Sequence, residues 1–142
     1  MLKGAFGNRI QVKDGAKDWK EAIRMVMKPL EEEGYIEGRY TESIFENVEK
    51  NGDYFIIMPG FALPHSRSEE GAIRTGLSFL KLQETVTFSS GQEVGLLIGL
   101  AAKDSSSHLD LLGELTDILI DEDKMEQIAR AQNAEQIQEI LA

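Results

Sequence analysis

Apolar residues recur along the chain with two different periods. Between residues 18 and 33, Trp19, Ile23, Val26 and Leu30 fall at spacings of four, three and four, which places them on one face of a helix. Asp18 followed by Glu21 makes a capping-box-like start, with Asp where Ser or Thr is usual. Pro29 falls inside this segment. A proline there costs on the order of 3 kcal/mol unless the chain kinks, so the pattern predicts a bend near Lys28 and a stop at Gly34. A second helix is predicted over residues 41–50, with Ile44, Phe45 and Val48 on its apolar side and Asn51-Gly52 closing it.

The period then shortens. Tyr54-Phe55-Ile56-Ile57-Met58 ends in Pro59-Gly60, a strand meeting a turn. Residues 75–82 and 93–101 read as longer strands, and the second is apolar nearly throughout, as expected where both faces are covered. Val86-Thr87-Phe88 reads as a short edge strand before the turn Ser89-Ser90-Gly91. From Ser105 the helical period returns, with His108, Leu111, Leu112, Leu115, Ile118 and Leu119 on one face and three serines available as caps. Helices over residues 122–131 and 133–141 finish the chain, the last capped by Asn133 with Gln136 at its third position. Helices at both ends with strands between them imply an α/β layered fold. No repeat or linker marks a boundary, so residues 1–142 read as one domain. The fold expected is α/β, a single three-layer domain with a mixed central sheet of about five strands flanked by helices.

Charge changes the picture of the partners. The 142 residues carry 15 basic and 25 acidic side chains, net −10, with 42% hydrophobic and 28% charged residues. That composition is globular rather than disordered. The charge disfavours nucleic acid and anionic membrane surfaces. It is also uneven, −3 over residues 1–71 and −7 over residues 72–142. The absence of cysteine excludes disulfides, thiolate metal sites and thiol catalysis. The amino-terminal MLKGAFGNRIQVKDG lacks the apolar core of a signal peptide, and the longest apolar run, residues 96–102, is far short of a membrane span. A cytoplasmic protein without direct membrane insertion is expected.

Two histidines narrow the search for reactive groups. His65 follows Phe61-Ala62-Leu63-Pro64, where Pro64 fixes its own φ and biases Leu63 toward extended geometry, so a rigid turn presents the imidazole. Ser66 and Ser68 can donate to an anion and Arg67 can offset its charge. A lone histidine beside a proline turn is nevertheless more often structural than functional. His108 lies on the leucine face in the first turn of its helix, which reads either as a capped histidine at the core edge or as a second imidazole near backbone donors that favour an anion. There is no nucleophile elbow, phosphate loop or dinucleotide fingerprint. The two histidines with Asp104 or Asp110 lack zinc-site spacing, so no metal and no cofactor are expected. Glu31-Glu32-Glu33 and Asp121-Glu122-Asp123 read as solvated helix ends.

Ala62-Leu63-Pro64-His65-Ser66-Arg67 resembles the active-site signature of the IIA components of the bacterial phosphoenolpyruvate-dependent sugar phosphotransferase system, in the mannitol/fructose superfamily. Asp18-Trp19-Lys20-Glu21-Ala22-Ile23-Arg24, Gly34-Tyr35-Ile36 and Tyr40 resemble the family's opening helix and turn. Thr75-Gly76-Leu77-Ser78, residues 97–102 and Ser107-His108-Leu109 resemble its later landmarks, so the likeness covers nearly the whole chain in order. It implies that His65 accepts a phosphoryl group from the histidine-containing phosphocarrier protein and passes it to a cysteine of a cognate IIB component. It also implies that His108 hydrogen-bonds that group, with Ser66 and Arg67 as further phosphate-binding candidates, and that neither nucleotide nor metal is required. Many relatives carry an arginine where Asn47 stands here, so Arg67 is expected to supply part of the missing charge. Pro29-Leu30, Asn47-Val48-Glu49, Gly52-Asp53-Tyr54 and Pro59-Gly60 resemble the ascorbate-type branch. A regulatory IIA-like module acting through phosphorylation-dependent binding remains open, as does a homodimer. A small metal-dependent hydrolase rests only on two histidines and nearby carboxylates. A carrier of a dianionic group should keep the acids of residues 72–142 away from His65.

Overall fold

The computed structural model describes residues 2–142, with side chains from residue 4 onward. Its elements run α1 (Leu2–Phe6), β1 (Ile10–Lys13), α2 (Trp19–Glu32), α3 (Gly38–Asn51), β2 (Ile56–Met58), β3 (Gly60–Ala62), a single 3-10 turn (Ser68–Glu70), β4 (Gly76–Thr87), β5 (Glu93–Ala101), α4 (Ser105–Leu119), α5 (Glu122–Arg130) and α6 (Ala134–Leu141). The strands form one sheet in the order β1-β4-β5-β3-β2. β1 pairs with β4 and β3 with β5 in parallel, whereas β4–β5 and β2–β3 are antiparallel, so the sheet is mixed and five-stranded as expected.

Alternation along β5 divides the interior into two layers. Leu97 and Ala101 face Ile23, Val26, Met27 and Leu30 of α2 and Tyr40 and Ile44 of α3. Leu96, Ile98 and Leu100 face Phe6 of α1, Leu111 and Leu115 of α4, and Ile128, Ile137 and Leu141 of α5 and α6. A strand covered on both faces must be apolar on both, which explains why its sequence shows no alternation. Helix α2 lies close to this strand, because a Cβ built on Gly99 would sit 2.6 Å from Met27 Sδ. No helix among the described residues is long and apolar enough to cross a membrane.

Several sequence expectations change. Helix α2 continues through Lys28 and Pro29 to Glu32 rather than breaking near Lys28. Pro29 removes the N–H that the Met25 carbonyl would otherwise accept, and Gln11 Nε2 donates to that carbonyl at 2.8 Å instead. The helix then stops at Gly34, as expected. Gly34 has φ +79°, its N–H donates to Glu31 and that of Tyr35 to Leu30, the paired bonds of a Schellman end. Helix α3 begins at Gly38 rather than residue 41. Val86 and Thr87 belong to β4 and do not form a separate edge strand, because an irregularity after Lys81 lets β4 continue with Val86 opposite Val94. The elements α1, β1 and β3 were not apparent from the pattern, being five, four and three residues long. Runs that short display no period.

Candidate active site

β3 delivers the chain to Leu63-Pro64-His65-Ser66-Arg67, which lies against the end of β5, where the Leu100 N–H donates to the Pro64 carbonyl at 3.1 Å. His65 is half-buried. Its Nδ1 lies 2.6 Å from the Leu63 carbonyl oxygen. A carbonyl only accepts, so Nδ1 carries a proton, and in the neutral imidazole the lone pair lies on Nε2. Two aromatic neighbours stand edge-on to the ring. Tyr54 has its centroid 5.4 Å away at 74°, and His108 5.5 Å away at 73°.

The next peptide is tied into the molecule. The Ser66 N–H donates to the Tyr40 hydroxyl at 2.9 Å, and that hydroxyl donates to the Leu100 carbonyl at 2.8 Å. The Tyr54 hydroxyl donates to the His65 carbonyl. Ser43 donates to the Tyr40 carbonyl at 2.6 Å, so its contact with Ser66 Oγ at 2.8 Å takes the Ser66 proton. Asn47 Nδ2 donates to the same Ser66 oxygen at 3.2 Å. Burial pushes the Tyr40 hydroxyl well above its ordinary pKa, and the Ser66 N–H opposes that shift. Burial likewise raises Tyr54, opposed by a hydrogen bond with Asn47.

His65 and His108 share a cleft of about 590 Å³ with Asn47, Tyr54, Arg67 and Leu109. The structure thus brings together the two histidines, 43 positions apart in sequence, and sets Ser66 and Arg67 in the same wall. Helix α4 opens onto the cleft. Asp104 caps it by accepting from the Ser107 N–H at 2.8 Å, whereas the backbone N–H groups of Ser105 and Ser106 have no protein partner among the described residues. Ser105 lines the cleft, where its free donor and the positive end of the helix dipole would favour an anion. Burial first, and the His65 ring second, hold His108 below its ordinary pKa of 6.5, which favours the neutral imidazole.

The polar atoms of the two minor candidates are engaged. Ser66 shares its hydroxyl with Ser43 and Asn47. Arg67 is exposed and paired with Glu70 at 3.4 Å and Glu69 at 3.9 Å. Of the acids in residues 72–142, Asp104 alone lines the cleft, where Glu69 joins it from the 3-10 turn. Backbone and hydroxyl donors hold both Glu69 and Asp104 below the usual carboxylate range. Tyr54 was not apparent as a site residue, since its only sequence signal is the segment Gly52-Asp53-Tyr54.

Fold and cleft together define an α/β protein with a histidine-lined cleft at one end of its sheet. Residues 6–142 match the model of the family described as "Phosphoenolpyruvate-dependent sugar phosphotransferase system, EIIA 2", and the chain belongs to that family. It is therefore a phosphotransferase component of a sugar phosphotransferase system. The mannitol-specific cryptic phosphotransferase enzyme IIA component of Escherichia coli (strain K12) is 39% identical over 134 residues, covering 94% of this chain and 91% of that protein. A solution structure bearing the same name superposes with a TM-score of 0.93 at 37% identity, over 99% and 98% of the two chains. The ascorbate-specific EIIA component of Salmonella choleraesuis (strain SC-B67) is 30% identical over 140 residues, covering 96% and 91%. This likeness supports the ascorbate-type branch. The enzyme IIA of mannitol from Escherichia coli, solved in complex with phosphorylated enzyme IIB, superposes with a TM-score of 0.80 at 25% identity, over 95% and 94% of the chains.

Proposed function

We propose that residues 1–142 act as one cytoplasmic IIA domain that carries a phosphoryl group on His65 Nε2. The observation that carries this reading is the Nδ1 contact with the Leu63 carbonyl, which in the neutral imidazole places the proton on Nδ1 and the nucleophilic lone pair on Nε2, in the cleft shared with His108. Nε2 attacks the phosphorus of the phosphohistidine on the phosphocarrier protein. The P–Nε2 bond forms as the donor's P–N bond breaks, and the donor imidazole leaves with the bonding pair and takes up a proton from solvent. A cysteine thiolate of the cognate IIB component then attacks the same phosphorus, and His65 Nε2 leaves with its pair. The likeness to a IIA protein solved with its IIB partner supports this second step. His108, kept neutral by burial, hydrogen-bonds a phosphoryl oxygen, and the Ser105 N–H adds a donor. Arg67 joins only by exchanging Glu69 and Glu70 for the phosphate, while Ser66 contributes through its place in the loop. We infer ascorbate or a related sugar as cargo, supported by the ascorbate-specific relative; the mannitol-specific relative supplies the competing cargo.

Labelled phosphoenolpyruvate, enzyme I and the phosphocarrier protein test the acceptor. The expected result is one acid-labile, base-stable phosphoryl group per chain, absent from His65→Ala. Unchanged labelling of that variant overturns the assignment.

A further inference from the structure

The peptide joining His65 to Ser66 is held at both polar ends by phenol hydroxyls from different parts of the fold. Its N–H donates to the Tyr40 hydroxyl at 2.9 Å, and its C=O accepts from the Tyr54 hydroxyl. Each tyrosine is anchored separately. Tyr40 is buried in α3, and its hydroxyl also donates to the Leu100 carbonyl of β5, so the loop is tied to the middle of the sheet. Tyr54 follows Asp53, whose carboxylate accepts from the Ser89 hydroxyl at 2.6 Å and the Ser90 N–H at 2.7 Å in the turn between β4 and β5.

A peptide group is planar, so fixing the directions of its N–H and C=O fixes ψ of His65 and φ of Ser66. The Nδ1 bond to Leu63 then fixes the ring relative to that backbone, and the Tyr54 ring stands edge-on to it at 5.4 Å. We infer that Tyr40 and Tyr54 are positioning residues for phosphoryl transfer, clamping the peptide after His65 so that Nε2 meets the incoming phosphorus in line. The inference rests on His65 being the phosphoryl acceptor. In-line transfer between two docked proteins depends steeply on such placement, because small displacements of a reacting atom cost large factors in rate. Tyr54 reads this role more cleanly than Tyr40, since it is only half-buried and its loop has independent anchors.

The test is Tyr54→Phe, which keeps the ring and removes the hydroxyl. For phosphoryl uptake from the phosphorylated phosphocarrier protein, kcat should fall on the order of tenfold, the equivalent of one hydrogen bond, with KM for that protein unchanged. Nitrogen NMR of the unphosphorylated variant should show His65 moving from a single Nδ1-protonated form to a mixture of tautomers. Unchanged kcat, or a raised KM with unchanged kcat, overturns the clamp; so does a lowered melting temperature with the tautomer unaltered. The NMR measurement requires no transfer. If His65→Ala still accepts label, the acceptor assignment falls, and the tautomer of the Tyr54→Phe protein still decides whether the clamp holds the ring.

Discussion

Tyr40→Phe removes one oxygen atom and leaves two buried backbone groups without partners. The Ser66 N–H loses its acceptor and the Leu100 carbonyl loses its donor, at present distances of 2.9 and 2.8 Å. Tyr40 is completely buried, and burial is the main reason its hydroxyl titrates far above the ordinary value, so the pocket gives water no ready access. Each unpaired backbone group costs about 1–3 kcal/mol, and the more apolar phenylalanine recovers a fraction, so the net loss should be about 2–4 kcal/mol. Urea unfolding followed by Trp19 fluorescence measures it. With an m-value of roughly 2 kcal/mol/M, the midpoint should fall by about 1–2 M without a change in slope. The melting temperature should fall by roughly 3–5 °C per kcal/mol. A loss below about 1 kcal/mol would refute the reasoning, because it would mean that the two groups find partners as soon as the hydroxyl is gone.

Gln11 and Pro29 should be coupled through the Met25 carbonyl. Gln11→Ala should cost about 1–2 kcal/mol in the native background and nearly nothing beside Pro29→Ala, where the restored backbone N–H supplies the missing donor; additive unfolding energies from the double-mutant cycle would contradict this. His108 makes folding pH-dependent. Its folded pKa lies below the ordinary 6.5, so below that value the unfolded chain binds more protons and stability falls as pH falls. His108→Gln should flatten that decline in melting temperatures measured from about pH 7 to pH 5, and an unchanged slope would assign the decline to other groups.

The long elements were legible because each carries several turns or pleats of pattern. Helix α2 shows its apolar face at Trp19, Ile23, Val26 and Leu30, and β5 shows its two-sided burial in an apolar run. The short ones were hidden for the converse reason, since β3 contributes only Gly60, Phe61 and Ala62. Its place is fixed by pairing with β5, a contact between residues more than thirty positions apart. Pro29 illustrates a different limit. A proline inside a helix predicts a break, but the compensating donor, Gln11, lies on β1, a strand too short to show a period. At the site, His65 and His108 were legible as chemistry, and their proximity was legible only through resemblance. Tyr54 was hidden because its hydroxyl acts on a backbone carbonyl, and no side-chain motif records that bond.

The charge distribution bears on how a chain of net −10 receives a dianion. Phosphate transfer onto His65 would add negative charge beside Glu69 and Asp104, the acids at the cleft, and Arg67 is already paired with glutamates. The Asp104 carboxylate stays charged, but it accepts from the Ser107 N–H and so closes the first turn of α4. The capped helix end places Ser105 in the wall of the cleft. An acid that directly opposes the proposed ligand thereby helps build the dipolar site that favours it. Asn47 fits this use of neutral groups, because its uncharged amide supports Ser66. The proposed site therefore stabilises a phosphoryl group on His65 with oriented dipoles and the neutral imidazole of His108 rather than with an unpaired cation of its own.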